Sequence, residues 1–212
     1  MTRYNSPMIY AALVAMGLTS CGKPKLDAAI ETNDRKAVEA AIAQGADANA
    51  LDKSGDTPLL AATRAGQASA AQGLIDAGAK LDARDKAGFT ALHLAASTGL
   101  TGIVNLLVER GQPINETTAD GLTPLHLAVK NAHQETAKFL VRHGADLNAK
   151  NAAGVSPLEM VERAGDTRFA GMLTSTAAAM AAQVRDPAAP GPNHGMKNAS
   201  ADAGVNAKGE TH

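Results

Sequence analysis

The sequence predicts an all-α solenoid of about five helix-turn-helix repeats, because the same landmark residues return at a fixed interval. The clearest landmark is a glycine that recurs every 33 residues, at Gly55, Gly88, Gly121 and Gly154. Two positions after it stands a Thr or Ser, which three times precedes a Pro. Further along, a pair of large apolar residues leads to a second glycine column, at Gly78, Gly111 and Gly144.

Each interval contains the signals for two helices. Thr123 can cap a helix with its hydroxyl group, and Pro124 follows at the first helical position, where a missing N–H costs nothing. Leu125 and Val129 then have the spacing of one buried helix face. Glycine suits the left-handed residue that ends this helix. Three repeats have that glycine, at Gly66, Gly99 and Gly165. Ala132 takes the position in the fourth repeat, so we expect strain there.

The segments T-P-L-H-L-A at residues 123–128 and G-A-D-L-N-A at residues 144–149 resemble those of ankyrin repeats, and the resemblance covers roughly residues 24–174. It implies helix–loop–helix units with protruding turns and a concave face that binds other proteins. It also implies that His93 and His126 belong to a hydrogen-bond network between neighbouring turns, and not to a metal or catalytic site.

The period divides the chain into a repeat domain and flanking segments. We expect the domain to span residues 24–182 and a disordered tail to occupy residues 183–212. The first repeat is more polar, as a terminal cap needs to be. A glycine inside a helix lowers stability by about 1 kcal/mol relative to Ala, so Gly73 leads us to expect that the second repeat is the least stable. The five repeats cover residues 24–50, 51–83, 84–116, 117–149 and 150–182.

Residues 1–20 indicate a signal peptide, because a basic residue precedes an apolar run that is too short to span a membrane. The run leads into L-T-S-C-G, which resembles a bacterial lipobox with its cysteine at Cys21. The resemblance implies cleavage before Cys21, lipidation of its sulfur and amine, and a short linker at residues 21–23. Gly22 in place of Asp resembles the pattern sorted to the outer membrane, facing the periplasm. The alternatives are an ordinary signal peptide and a buried N-terminal helix.

Composition argues against several functional classes. The 212 residues include 20 Lys and Arg against 21 Asp and Glu, a balance that argues against nucleic-acid binding. Three Phe, two Tyr and no Trp leave no stacking platform for bases. No zinc-protease, Walker, nucleophile-elbow or dinucleotide motif occurs. We therefore predict no enzyme activity, no cofactor, no metal and no small-molecule substrate.

The predicted partner is a protein, and two columns of residues are candidates for binding it. The residue after each turn glycine is expected on a protruding turn tip, at Asp56, Phe89, Leu122 and Val155. The last residue of each first helix is expected on the concave face, at Arg64, Ser97, Lys130 and Arg163. Together they suit a partner with acidic and apolar surface. The alternatives are that the tips pack against adjoining turns and that the helix ends are merely solvated.

These features favour a membrane-tethered periplasmic lipoprotein that binds another protein. A sharper version is an immunity or inhibitor protein that neutralises a secreted effector, since similar lipoproteins stand beside toxins in some bacterial effector operons. One alternative is an envelope adaptor or stabiliser of a periplasmic enzyme. Another is a secreted, host-directed ankyrin effector, which would have to keep residues 1–20.

Overall fold

The structure is a computed structural model that describes residues 26–185, with only the backbone of residues 183–185. This part of the chain contains ten helices and no strand, which confirms the all-α prediction. The helices come in pairs, one pair for each predicted repeat. They are α1 (Leu26–Glu31), α2 (Arg35–Ala43), α3 (Pro58–Arg64), α4 (Ala68–Asp76), α5 (Ala91–Thr98), α6 (Thr101–Glu109), α7 (Pro124–Lys130), α8 (Gln134–Arg142), α9 (Pro157–Arg163) and α10 (Thr167–Arg185).

The helices form two layers, because the first helix of each repeat packs on the first helix of the next and the second helix packs on the second. We call α1, α3, α5, α7 and α9 the inner helices and the others the outer helices. The core lies between the layers, where Leu92 and Leu125 meet Leu107 and Leu140, all fully buried. Each such leucine contributes about 1.5–3 kcal/mol. One repeat cannot bury this surface alone, so stacking stabilises the fold.

The predicted helix starts are confirmed at the inner helices. The hydroxyl groups of Thr57, Thr123 and Ser156 accept hydrogen bonds from the N–H three residues on, at 3.4, 3.4 and 3.2 Å. A proline fills the first helical position after each of them. Thr90 begins α5 without a proline, and its N–H donates to His93 Nδ1 at 3.3 Å. These caps determine where α3, α5, α7 and α9 begin.

The turn from an inner to an outer helix requires a residue in the left-handed region. Gly66, Gly99 and Gly165 have φ angles of 75°, 74° and 74°. Ala132 has a φ of 56° at the same position, which confirms the predicted strain, and Asn33 has a φ of 52° in the first repeat. Asn visits this region more readily than Ala, for which it costs about 1–2 kcal/mol.

Gly73 lies where two outer helices approach closely. A Cβ atom at this position would lie 3.1 Å from the carbonyl oxygen of Arg35 and 3.2 Å from its Cγ. The glycine that we expected to soften the second repeat therefore has a packing role. It lets α4 lie against the N-terminus of α2.

The last outer helix, α10, has 19 residues, whereas the other outer helices have 9 each. It runs to Arg185, past the predicted boundary at residue 182, because no Gly or Pro interrupts its alanine-rich end. Across residues 26–185, no helix combines the length and the apolarity needed to cross a membrane. The predictions for residues 1–20, for lipidated Cys21 and its linker, and for the tail after Arg185 lie outside the described residues.

Exchanging the residue at the strained turn position should shift stability in opposite directions. We expect Ala132→Gly to raise the free energy of unfolding by about 1 kcal/mol, because glycine adopts positive φ without a Cβ clash. Gly66→Ala should lower it by about as much, and it isolates the strain because no atom lies within 4 Å of the new Cβ. Urea unfolding followed by circular dichroism measures both changes. Equal stabilities in all three proteins would contradict the strain.

Candidate partner-binding surface

The protruding turns precede the inner helices and share one closing geometry. In the second repeat the Asp52 N–H donates to the Asp56 carbonyl at 2.9 Å, and the Asp56 N–H donates back to Asp52 Oδ1 at 2.9 Å. In the later repeats the equivalent side-chain bond is accepted by Asp85, Thr118 and Asn151. A short polar side chain therefore sets each turn.

The residues that were predicted at the turn tips close these turns through backbone hydrogen bonds. Those four residues are all half-buried: Asp56, Phe89, Leu122 and Val155. Exposed residues lie between the turn start and the turn glycine, as Lys53 and Ala153 do. Phe89 packs against the core and meets His93 edge to face, with ring centroids 6.1 Å apart. A role for these four residues in binding stays a prediction.

Two buried histidines connect successive turns. His126 Nδ1 accepts from the Thr123 N–H at 3.1 Å, so its Nε2 carries the proton and donates to the Val155 carbonyl at 3.1 Å. His93 donates to the Leu122 carbonyl in the same way, at 3.1 Å. Each histidine thus holds the closing residue of the next turn, which confirms the predicted structural network. Burial lowers the pKa of both His93 and His126.

Successive turns also bond through their backbones. The Ala119 N–H donates to the Ala87 carbonyl at 3.2 Å, and the Ala152 N–H donates to the Asp120 carbonyl at 2.9 Å. A Cβ atom at Gly88 would lie 3.0 Å from the Ala119 nitrogen, so this approach requires glycine as much as the φ of 81° does. The turns of the third, fourth and fifth repeats therefore form one hydrogen-bonded edge.

We call the surface formed by the turns and the exposed ends of the inner helices the inner face. Arg64 Nη2 donates there to Asp56 Oδ2 at 3.0 Å and to Asp85 Oδ2 at 2.8 Å. The hydrogen bond to Asp85 is the main reason that the pKa of Arg64 is raised. Burial raises the pKa of Asp85, but bonds from Arg64 and from the turn N–H groups outweigh burial and leave that pKa lowered. The chain itself therefore neutralises the cation at this position.

The other three predicted helix-end residues have different surroundings. Asn131 Nδ2 donates to the Ser97 carbonyl at 2.6 Å and to the Ser97 hydroxyl at 2.9 Å. Lys130 and Arg163 are exposed and form no ion pair with another described residue. Lys130 and Arg163 are therefore inner-helix-end cations without an ion pair among the described residues, as Lys53 and Lys86 are on the exposed turns of the second and third repeats. Sequence reasoning missed Asp85, although an acidic turn residue one repeat after Arg64 was a usable signal.

The sequence comparisons agree with this architecture. A family model described as Ankyrin repeats (3 copies) matches residues 26–118, 77–151 and 103–177. The chain belongs to the ankyrin-repeat family. No individual curated protein matches it at a significant level. Ankyrin repeats are a non-catalytic interaction fold, so this domain is a protein–protein interaction module. Within residues 26–185, no three His, Cys, Asp or Glu side chains cluster as metal ligands would.

Acidification should destabilise the ankyrin stack through its buried histidines. Unfolded histidines take up protons near pH 6.5, about their ordinary pKa, whereas burial lowers the pKa of His93 and His126 in the folded chain. The unfolded state then binds more protons, so stability falls as the pH falls below about 6.5, by at most about 1.4 kcal/mol per pH unit for each histidine. Urea unfolding between about pH 7.5 and 5.5 measures this slope.

His126→Gln should flatten the slope, and His143→Gln, at an exposed residue, is the matched control. Asp52, Asp76 and Glu159, whose pKa values are lowered by the hydrogen bonds they accept, lose their contributions only at lower pH, below about 4. If His126→Gln and the unchanged chain gave the same slope, the histidine network would not be its source.

Asp85→Asn tests the internal neutralisation of Arg64. Asn keeps the Oδ1 that accepts from the turn N–H groups but replaces Oδ2 with an amide nitrogen. We expect the free energy of unfolding to fall by about 0.5–1 kcal/mol, since the ion pair is partly exposed, and its salt dependence to weaken. Asp120→Asn, at an exposed turn carboxylate, should change neither quantity. An equal loss in that control would assign the effect to general surface charge.

Proposed function

We propose that the chain is a lipid-anchored ankyrin-repeat protein of the bacterial cell envelope, which faces the periplasm and binds another protein through its inner face. The observation that carries the binding role is that this face is preformed. His93 and His126 hold its turns, and it presents Lys130 and Arg163 without ion partners among the described residues. Repeats stacked about 10 Å apart leave room for an interface of about 800 Å² per partner.

Preorganisation supports this role energetically. A surface that is already ordered loses little conformational entropy when a partner binds, so more of the contact energy remains as affinity. The hydrogen bonds between turns, from Ala119 to Ala87 and from Ala152 to Asp120, provide that order independently of any partner.

The membrane anchor rests on the sequence around Cys21. The run L-T-S-C-G follows an apolar segment and contains the only cysteine of the chain. Each buried methylene of an acyl chain contributes about 0.8 kcal/mol, and two or more chains hold a protein durably where one does not. With Cys21 acylated, the mature chain would rely on no disulfide in an oxidising compartment.

Within this class we propose an inhibitor or immunity role, in which the tethered ankyrin domain binds a secreted effector at the membrane and blocks it. The anchor supports this role because it keeps the binding face where an effector would enter. An adaptor or stabiliser of a periplasmic enzyme would use the same face. Deletion of the gene separates the two: sensitivity to one effector supports the inhibitor, and general envelope defects support the adaptor.

Cys21→Ser should release the protein from the membrane fraction, because serine cannot receive the thioether-linked lipid. Mass spectrometry of the unchanged protein should find a mature chain that begins at Cys21 and carries acyl groups. Ser20→Ala, which keeps a small residue before the cysteine, should stay in the membrane fraction. A chain that still begins at Met1 would rule out the anchor and favour a host-directed effector that keeps residues 1–20.

A further inference from the structure

In the second repeat, three residues meet at the end of the inner helix. They are the residue that ends the helix, the residue that closes the preceding turn, and the residue that opens the next turn. We call such a set a helix-end triplet. The Arg64 triplet contains Arg64, Asp56 and Asp85, and both carboxylates bind the guanidinium group. This triplet is complete within the chain.

The equivalent repeat positions two repeats later are occupied by Lys130, Leu122 and Asn151, and we call this set the Lys130 triplet. Lys130 is exposed and has no ion pair with any described residue. The half-buried Leu122 takes the place of one carboxylate, and the amide of Asn151 takes the place of the other. Neither replacement neutralises the lysine.

The hydrogen bonds of Asn151 determine which way its amide points. Its Oδ1 accepts from the N–H groups of Ala153 and Val155, both at 3.0 Å. Asp85 Oδ1 accepts the two equivalent bonds, so Asn151 Nδ2 takes the place of the oxygen that binds Arg64. An amide nitrogen only donates. The Lys130 triplet therefore offers two donors where the Arg64 triplet has a cation and two acceptors.

We propose that an Asp or Glu side chain of the protein partner binds at the Lys130 triplet, where its carboxylate accepts from Lys130 and Asn151 and a neighbouring apolar residue packs on Leu122. This inference rests on the proposed function, since it names what the inner face recognises. Charge complementarity supports this proposal. At Arg64 the chain itself supplies the neutralising carboxylates, whereas at Lys130 a partner would have to supply one. Hydrogen bonds to an ionised group are also the stronger kind.

The remaining triplets suit a partner carboxylate less well. Ser97 carries no charge, and its carbonyl and hydroxyl groups already accept from Asn131. Arg163 ends the last inner helix, and no further protruding turn follows it within residues 26–185, so its triplet has no third member. Among the helix-end triplets, the Lys130 triplet at the junction between the fourth and fifth repeats therefore suits an acidic side chain best.

A photo-crosslinking residue at Ala153, which is exposed on the turn beside the Lys130 triplet, tests this inference in the full-length protein within its native cells. Mass spectrometry of the adduct identifies the partner. We expect Asn151→Asp to lower the adduct yield about tenfold, because it gives Lys130 an internal carboxylate while keeping the turn, as Asp85 does. Lys130→Glu should lower the yield at least as much, whereas Lys80→Glu, at an exposed lysine after an outer helix, should leave it unchanged.

Charge exchange completes the test. Changing the partner's carboxylate to Lys should restore the adduct with Lys130→Glu, which a misfolded variant would not allow. Unchanged yields in both Asn151→Asp and Lys130→Glu would overturn the carboxylate site but leave the partner, and thus the proposed function, in place. If Ala153 and the equivalent turn residues Ser54 and Ala87 all gave no adduct, protein binding by the inner face would itself be overturned.

Discussion

Burial of apolar surface between neighbouring repeats is the interaction on which the rest of the structure depends. The inner helices have only 6 to 8 residues, too short to be stable alone in water. Leu92 and Leu107 are fully buried because adjacent repeats cover them. The polar contacts between repeats do not create this stack. They set its spacing and decide which groups remain for a partner.

The junction between the second and third repeats shows that these polar contacts are exchangeable. Leu60 stands where the next two repeats have histidine, so it donates no bond to the next turn. Lys80, Pro113 and Asp146 occupy equivalent positions in successive repeats. Lys80 and Asp146 each donate their backbone N–H to an asparagine of the preceding repeat, whereas Pro113 has no N–H to donate. Arginine side chains replace the missing hydrogen bonds at this junction. Arg64 binds Asp85 in the next turn, and Arg110 binds Asp76, the carboxylate that ends α4. Ion pairs are screened by salt, so this junction is held differently from the histidine junctions.

The period predicted the helices, their caps and the left-handed turns, because each depends on residues close together in the chain. It could not predict contacts made by long side chains across a junction, and so the pairing of Arg64 with Asp85 was missed. The role of Gly73 depends on how closely two helices approach, which no single repeat encodes. The turn-closing residues were expected at the tips, but their backbone bonds to the turn start keep Leu122 and Val155 half-buried.

A cation on the inner face can bind a partner's carboxylate only where no carboxylate of the chain already neutralises it. Asp85 and Asp56 have side chains only 9% and 13% exposed, so a partner that displaced Arg64 would leave two largely buried carboxylates without their cation. Losing these partly exposed ion pairs costs about 0.5–1 kcal/mol. Lys130 carries no such cost. Arg64 therefore contributes its charge to cohesion between the second and third repeats, whereas in our proposal Lys130 keeps its charge for the partner.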